Sequence, residues 1–78
     1  MTVVFLGKLA DLAGAAEKQV AAPLDWAGLL GALPGPLGEA VQQDRTRMAL
    51  NGALLADKTA LHAADGDEVA LLPPVSGG

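Results

Sequence analysis

Apolar and polar positions change their period several times along the chain, and each change marks an element. Thr2-Val3-Val4-Phe5-Leu6 is β-branched, continuously apolar and stopped by Gly7, which predicts a buried strand. Lys8 to Ala13 suits one or two helical turns, with Gly14 as the stop. Glu17 to Ala21 predicts a second strand that closes before Pro23. Asp25 is placed to cap a helix whose Trp26, Leu29, Leu30 and Leu33 form one apolar stripe, and Pro34 ends it. Gly28 and Gly31 lie off that stripe and cost about 1 kcal/mol each against Ala, so this helix depends on packing. Pro36 opens a shorter helix that turns Leu37, Ala40 and Val41 inward and Glu39, Gln42, Gln43 and Asp44 outward. Arg45 to Leu50 reads as a strand, Asn51-Gly52 as a tight hairpin turn, and Ala53 to Ala56 as the return strand. Asp57 to Ala64 reads as a loop with one helical turn. Asp65-Gly66-Asp67 then turns the chain into a last strand, Glu68 to Leu72, which Pro73-Pro74 stops.

The main elements therefore run β, β, α, β, β, β, an α+β pattern with one main helix across one face of a mixed sheet of about five strands. The first and last strands are the most apolar, as expected of central strands lying side by side. That arrangement is the ubiquitin-like β-grasp. Side chains alternate between sheet faces. Val3, Phe5, Val69 and Leu71 form wholly apolar sets, whereas the alternate sets contain Thr2 and Glu68, so the apolar sets belong under the helix. Leu6, Leu54 and Leu72 are then expected on the uncovered face, as the centre of a protein-binding patch. Residues 1–72 are expected to form the domain, and 73–78 a flexible tail ending in Gly-Gly.

Composition narrows the chemistry. At 78 residues the chain is one small domain with a marginal core. It has no cysteine, which excludes a disulfide framework, a thiolate metal site and a cysteine nucleophile. One histidine cannot build a histidine-rich centre, and no metal is expected. A net charge of −4 has the wrong sign for nucleic acid or an anionic membrane. No apolar run approaches the roughly 20 residues of a membrane span, and no leader pattern opens the chain, so a cytoplasmic location is expected. Ser76, the one serine, lies too close to the end to be held beside a base, and His62 is expected on a surface loop. Asp65, Asp67 and Glu68 are accounted for by turn chemistry. Gly7, Gly14 and Gly28 have the wrong spacing for a phosphate loop. The tail remains. Extended, Leu72 to Gly78 reaches roughly 20 Å beyond the fold. Pro73 and Pro74 stiffen its exit, and Ser76-Gly77-Gly78 has almost no side-chain bulk. Such a backbone fits a narrow channel on another protein, one that handles a terminal carboxylate and where a Cβ would clash.

The run from Asp65-Gly66-Asp67-Glu68-Val69 to Pro73-Pro74-Val75-Ser76-Gly77-Gly78 resembles the C-terminal signature of the small subunit of molybdopterin synthase. Val3-Val4-Phe5-Leu6 with Leu9-Ala10-Asp11-Leu12-Ala13-Gly14 resembles that family's first strand and helix, and Met48-Ala49-Leu50-Asn51-Gly52 its central hairpin. Ala10 departs from it, since many relatives carry arginine there. The resemblance implies a sulfur carrier with no permanently bound cofactor. An adenylating enzyme of the ubiquitin-activating type would use ATP to form a glycyl-adenylate at Gly78, which is then converted to a thiocarboxylate. Its sulfur would go to a pterin precursor held by the large synthase subunit, building the dithiolene of molybdopterin in a heterotetramer. Pro73, Pro74, Val75, Ser76 and Gly77 would thread the large subunit, which carries the catalytic side chains. Three other readings share these residues. A thiamine-type sulfur carrier also ends in Gly-Gly but usually lacks Pro-Pro-Val-Ser. A ubiquitin-like modifier would join the same terminus to lysines. A non-catalytic β-grasp interaction module would use the sheet face alone.

Overall fold

The computed structural model describes residues 1–33 and 35–74. In chain order the elements are β1 (Thr2–Phe5), α1 (Lys8–Ala13), β2 (Glu17–Gln19), β3 (Leu24–Asp25), α2 (Trp26–Ala32), α3 (Pro36–Gln42), β4 (Arg47–Leu50), β5 (Ala53–Leu54), β6 (His62–Ala63) and β7 (Glu68–Leu72). A single 3-10 turn, Lys58–Ala60, lies between β5 and β6. The main sheet has five strands in the order β2-β1-β7-β4-β5, with β1 and β7 parallel at its centre and the other pairs antiparallel. This is the mixed five-strand β-grasp expected from the pattern.

The faces follow the alternation in the sequence. Val3 and Val69 are paired in register, as are Phe5 and Leu71, and all four are at most 2% exposed. Leu29 and Leu33 complete the layer above them, while Trp26 and Leu30 are half-buried at its rim. Asp25 caps α2 by accepting a hydrogen bond from the Gly28 N–H at 2.7 Å. The expected stop at Pro34 lies outside the described residues. Helix α3 buries Leu37 and Val41 as predicted, and it also buries Gly38. A Cβ at Gly38 would collide with the Leu33 carbonyl oxygen, so the close approach of α3 to the end of α2 needs a glycine there.

Several expectations are corrected. The first strand ends at Phe5, the second at Gln19 and the return strand at Leu54, each earlier than the apolar pattern suggests. The segment read as a loop holds a strand: Leu24 pairs with Ala63 and Asp25 with His62 in a separate two-stranded ladder. Leu61 and Ala63 point into the core, which turns the exposed His62 outward from a strand rather than from a loop. Lys58 ties the 3-10 turn to α3, donating to the carbonyls of Gln43 and, at 2.8 Å, of Thr46. Its ammonium also lies 5.9 Å from the Trp26 ring centroid. Partial burial pushes the Lys58 amine below its ordinary pKa.

Candidate functional site

The uncovered face of the sheet is built row by row from the strand register. Glu17, Val4, Ala70, Ala49 and Leu54 stand side by side across all five strands. Ala49 is only 8% exposed although it faces away from the core; Leu54, on the edge strand, is 65% exposed. One row nearer the start of β7, Gln19, Thr2 and Glu68 form a polar border, with the Gln19 amide donating to the Thr2 hydroxyl at 2.8 Å. One row nearer its end stand exposed Leu6 and half-buried Leu72, the latter opposite Arg47. The central strands of this face thus pass from polar Thr2 and Glu68 to apolar Leu6 and Leu72 toward the point where β7 leaves the sheet, with Glu17 and Arg47 on the flanking strands. Leu6, Leu54 and Leu72 are brought to one side of the molecule, as their alternation predicts.

That exit is shaped by a glycine. The Leu6 N–H donates to the Leu71 carbonyl at 3.1 Å, so the parallel ladder continues past the end of β1. Gly7 follows with φ 53° and ψ −129°, a conformation open only to glycine. A Cβ there would stand 3.1 Å from the Pro73 ring. Gly7 therefore both turns the chain into α1 and makes room for the first residue after β7. Pro73 is half-buried against it and Pro74 is exposed. Val75, Ser76, Gly77 and Gly78, the residues assigned to threading and to the reacting carboxyl, lie outside the described residues.

At the opposite end of β7 the sequence reading missed a clamp. Asn51 and Gly52 both have positive φ, 50° and 84°, as the tight hairpin turn requires. The Asn51 amide also spans to the neighbouring turn: Nδ2 donates to Asp67 Oδ1 at 3.0 Å, and Oδ1 accepts from the Glu68 N–H at 2.9 Å. Asp67 Oδ2 accepts from the Ala64 N–H at 2.8 Å. The Ala64 N–H, with the Asn51 amide second, holds the Asp67 carboxyl below its usual range. The clamp closes the end of the sheet away from the tail and contributes nothing to the apolar face. Among the described residues no three acidic or histidine side chains converge as a metal site would require. No described helix is long and apolar enough to cross a membrane.

A parallel pair of central strands, one helix-covered face, one open face and a last strand leading to a diproline exit define a ubiquitin-like β-grasp domain. The ThiS family model matches residues 3–78, and the chain belongs to that family of ubiquitin-like sulfur carriers and modifiers. Three solved structures are similar to it. SAMP1 from Haloferax volcanii is 30% identical, with 100% of this chain and 98% of that one covered and a TM-score of 0.67. The complex of subunits 1 and 2 of the molybdopterin-converting factor from Helicobacter pylori contains a chain 28% identical, with 99% and 96% covered and a TM-score of 0.66. The Haloferax volcanii HVO 2177 protein shares the fold at 22% identity and a TM-score of 0.76, covering 99% of this chain and 84% of that one. A sequence comparison with curated proteins finds no match.

Proposed function

We propose that this chain is the sulfur-carrying small subunit of molybdopterin synthase. The observation that carries the reading is the exit of β7: a central strand runs out beside exposed Leu6 and half-buried Leu72 and passes directly into Pro73-Pro74. Its similarity to a chain in the complex of molybdopterin-converting factor subunits 1 and 2 supports a large-subunit partner. In this reading an adenylating enzyme joins AMP from ATP to the Gly78 carboxylate, because a carboxylate is a poor electrophile until it carries a leaving group. Sulfur replaces the adenylate, and the soft, ionised thiocarboxylate attacks the pterin precursor in the large subunit. Leu6, Leu54 and Leu72 dock both partners, and residues 73–77 pass the constriction as a thin chain.

A second reading is favoured by the 30% identity to SAMP1, whose fuller name in a related structure is small archaeal modifier protein 1. There the same activated glycine is captured by a lysine amine. One experiment separates the two. The chain is incubated with an adenylating enzyme, ATP and a sulfur donor, and its intact mass is measured. Exchange of one oxygen for sulfur at the C-terminus is the expected result, and deleting Gly78 reduces it to background while the fold persists. A lysine conjugate without thiocarboxylate would favour the second reading, and neither product would sink both.

A further inference from the structure

Asn51 is the one asparagine of the chain, and Gly52 follows it. That order favours spontaneous loss of ammonia, because no Cβ on the glycine hinders its backbone nitrogen from reaching the asparagine side-chain carbon. Both residues are exposed, and the space that a Cβ at Gly52 would fill is open. Water reaches the site, and crowding gives it no protection. The clamp does. The Asn51 backbone N–H donates to the Glu68 carbonyl at 2.8 Å, and the Glu68 N–H returns a bond to Asn51 Oδ1 at 2.9 Å. Nδ2 donates to Asp67 Oδ1 at 3.0 Å, and Asp67 is fixed in turn by the Ala64 N–H. Both ends of the side-chain amide are thus committed to the neighbouring turn. Presenting its carbon to the Gly52 nitrogen requires rotating the amide, which breaks both bonds.

We propose that Asn51 is a site of spontaneous deamidation that the clamp holds in check, and that its conversion to aspartate releases this end of the sheet. Reaction proceeds only from the open state in which the two side-chain bonds are broken, so its rate is the open fraction times the unrestrained rate. The Gly52 nitrogen gives up its proton to hydroxide and attacks Asn51 Cγ, forming a C–N bond. The bond from Cγ to Nδ2 breaks, and ammonia leaves with the electron pair and a proton from water. Water then adds to either carbonyl carbon of the five-membered imide, and that carbon's bond to nitrogen breaks. The products are aspartate and isoaspartate, with nothing oxidised or reduced. Each replaces the donor Nδ2 by a carboxylate oxygen, which only accepts when ionised. In aspartate that oxygen takes the place 3.0 Å from Asp67 Oδ1, so an attraction becomes a repulsion between two carboxylates. The adjacent Glu68 and the nearby Asp65 add charge of the same sign. Isoaspartate in addition lengthens the backbone by one carbon inside the two-residue hairpin. Either way Asp67 loses a partner, and the turn leading into β7 is loosened.

The test incubates the whole folded chain at mildly alkaline pH and counts deamidation as a gain of one mass unit, located at Asn51 by peptide mass spectrometry. Isomerisation at Asp65-Gly66 leaves the mass unchanged and does not enter the count. The parent should react at least about tenfold more slowly when folded than in guanidinium chloride, the ratio set by the two hydrogen bonds that must open. Asp67→Ala removes the acceptor of Nδ2 and should speed the folded chain about fivefold. Asp57→Ala removes a cap on the 3-10 turn that does not touch Asn51, and it should react at the parent's rate. Circular dichroism checks that each variant is folded. Should Asp67→Ala not fold, Asp67→Asn takes its place: its single oxygen cannot fill both accepting positions, and a faster reaction is again expected. Equal rates in the folded and unfolded parent, or equal acceleration by the Asp67 and Asp57 variants, would overturn the role of the clamp. A last arm installs the product directly. Asn51→Asp should unfold at a lower denaturant concentration than the parent at neutral pH, and a midpoint at or above the parent's would overturn the release.

Discussion

Asn51 does two jobs with one residue. Its backbone adopts the left-handed turn conformation, and its amide reaches Asp67 and the Glu68 N–H across the sheet end. Replacing it with alanine removes both and should destabilise the fold by about 1–2 kcal/mol, measured as a lower urea midpoint. Asp67 adds a pH dependence. Its folded pKa is depressed, so the stabilisation is complete above the unfolded value of about 3.9 and is lost as pH falls through the folded value. Urea midpoints should therefore fall on acidification into that range, and Asp67→Asn should flatten the fall. The flattening will be partial, because Thr59 holds the Asp57 carboxyl down in the same way. The turn itself was legible, since Asn-Gly is a local signal. The clamp was not: Asn51 and Asp67 are 16 residues apart, and an aspartate beside glycine already reads as turn chemistry.

Elements with a long apolar period were legible, and short ones were not. The stripe from Trp26 to Leu33 and the Leu37/Val41 pair of α3 gave both helices and their buried faces. The β3–β6 ladder escaped because two-residue strands offer no period to read; what holds them is the burial of Leu24, Leu61 and Ala63. Gly38 was likewise hidden, because its need for a missing Cβ comes from Leu33, the residue just past the end of α2. Gly38→Ala gains helix propensity but forces α3 off α2. Overpacking should prevail, with a net loss of about 1–3 kcal/mol in chemical denaturation. A variant more stable than the parent would show that the two helices can separate at little cost.

Across the whole molecule the sheet divides into a side that packs the core and a side left uncovered. Leu71 is fully buried and Leu54 is 65% exposed, which gives them opposite expected phenotypes. Leu71→Ala should cost about 2–5 kcal/mol of stability. Leu54→Glu should change stability by no more than about 0.5 kcal/mol. The same Leu54→Glu change should weaken binding to a molybdopterin synthase large subunit by about tenfold or more, read by calorimetry. Unaltered binding would place the contact elsewhere on the chain. This division was readable from Thr2 and Glu68 alone, because one polar residue per strand settles which side of a two-sided sheet is wet. The proposed reacting group at Gly78 lies outside the described residues and rests on the resemblance of the tail, since Ser76-Gly77-Gly78 carries no functional side chain beyond one hydroxyl.

The central place of β7 has a mechanical consequence. A partner that draws the terminus into a channel pulls along the axis of this strand, which is bonded to β1 on one side and β4 on the other. Force in that direction loads both ladders in shear, so their hydrogen bonds share the load instead of parting one after another as they would when an edge strand is peeled. A pull on the end of β7 therefore meets more resistance than the same pull on an edge strand of this sheet would meet.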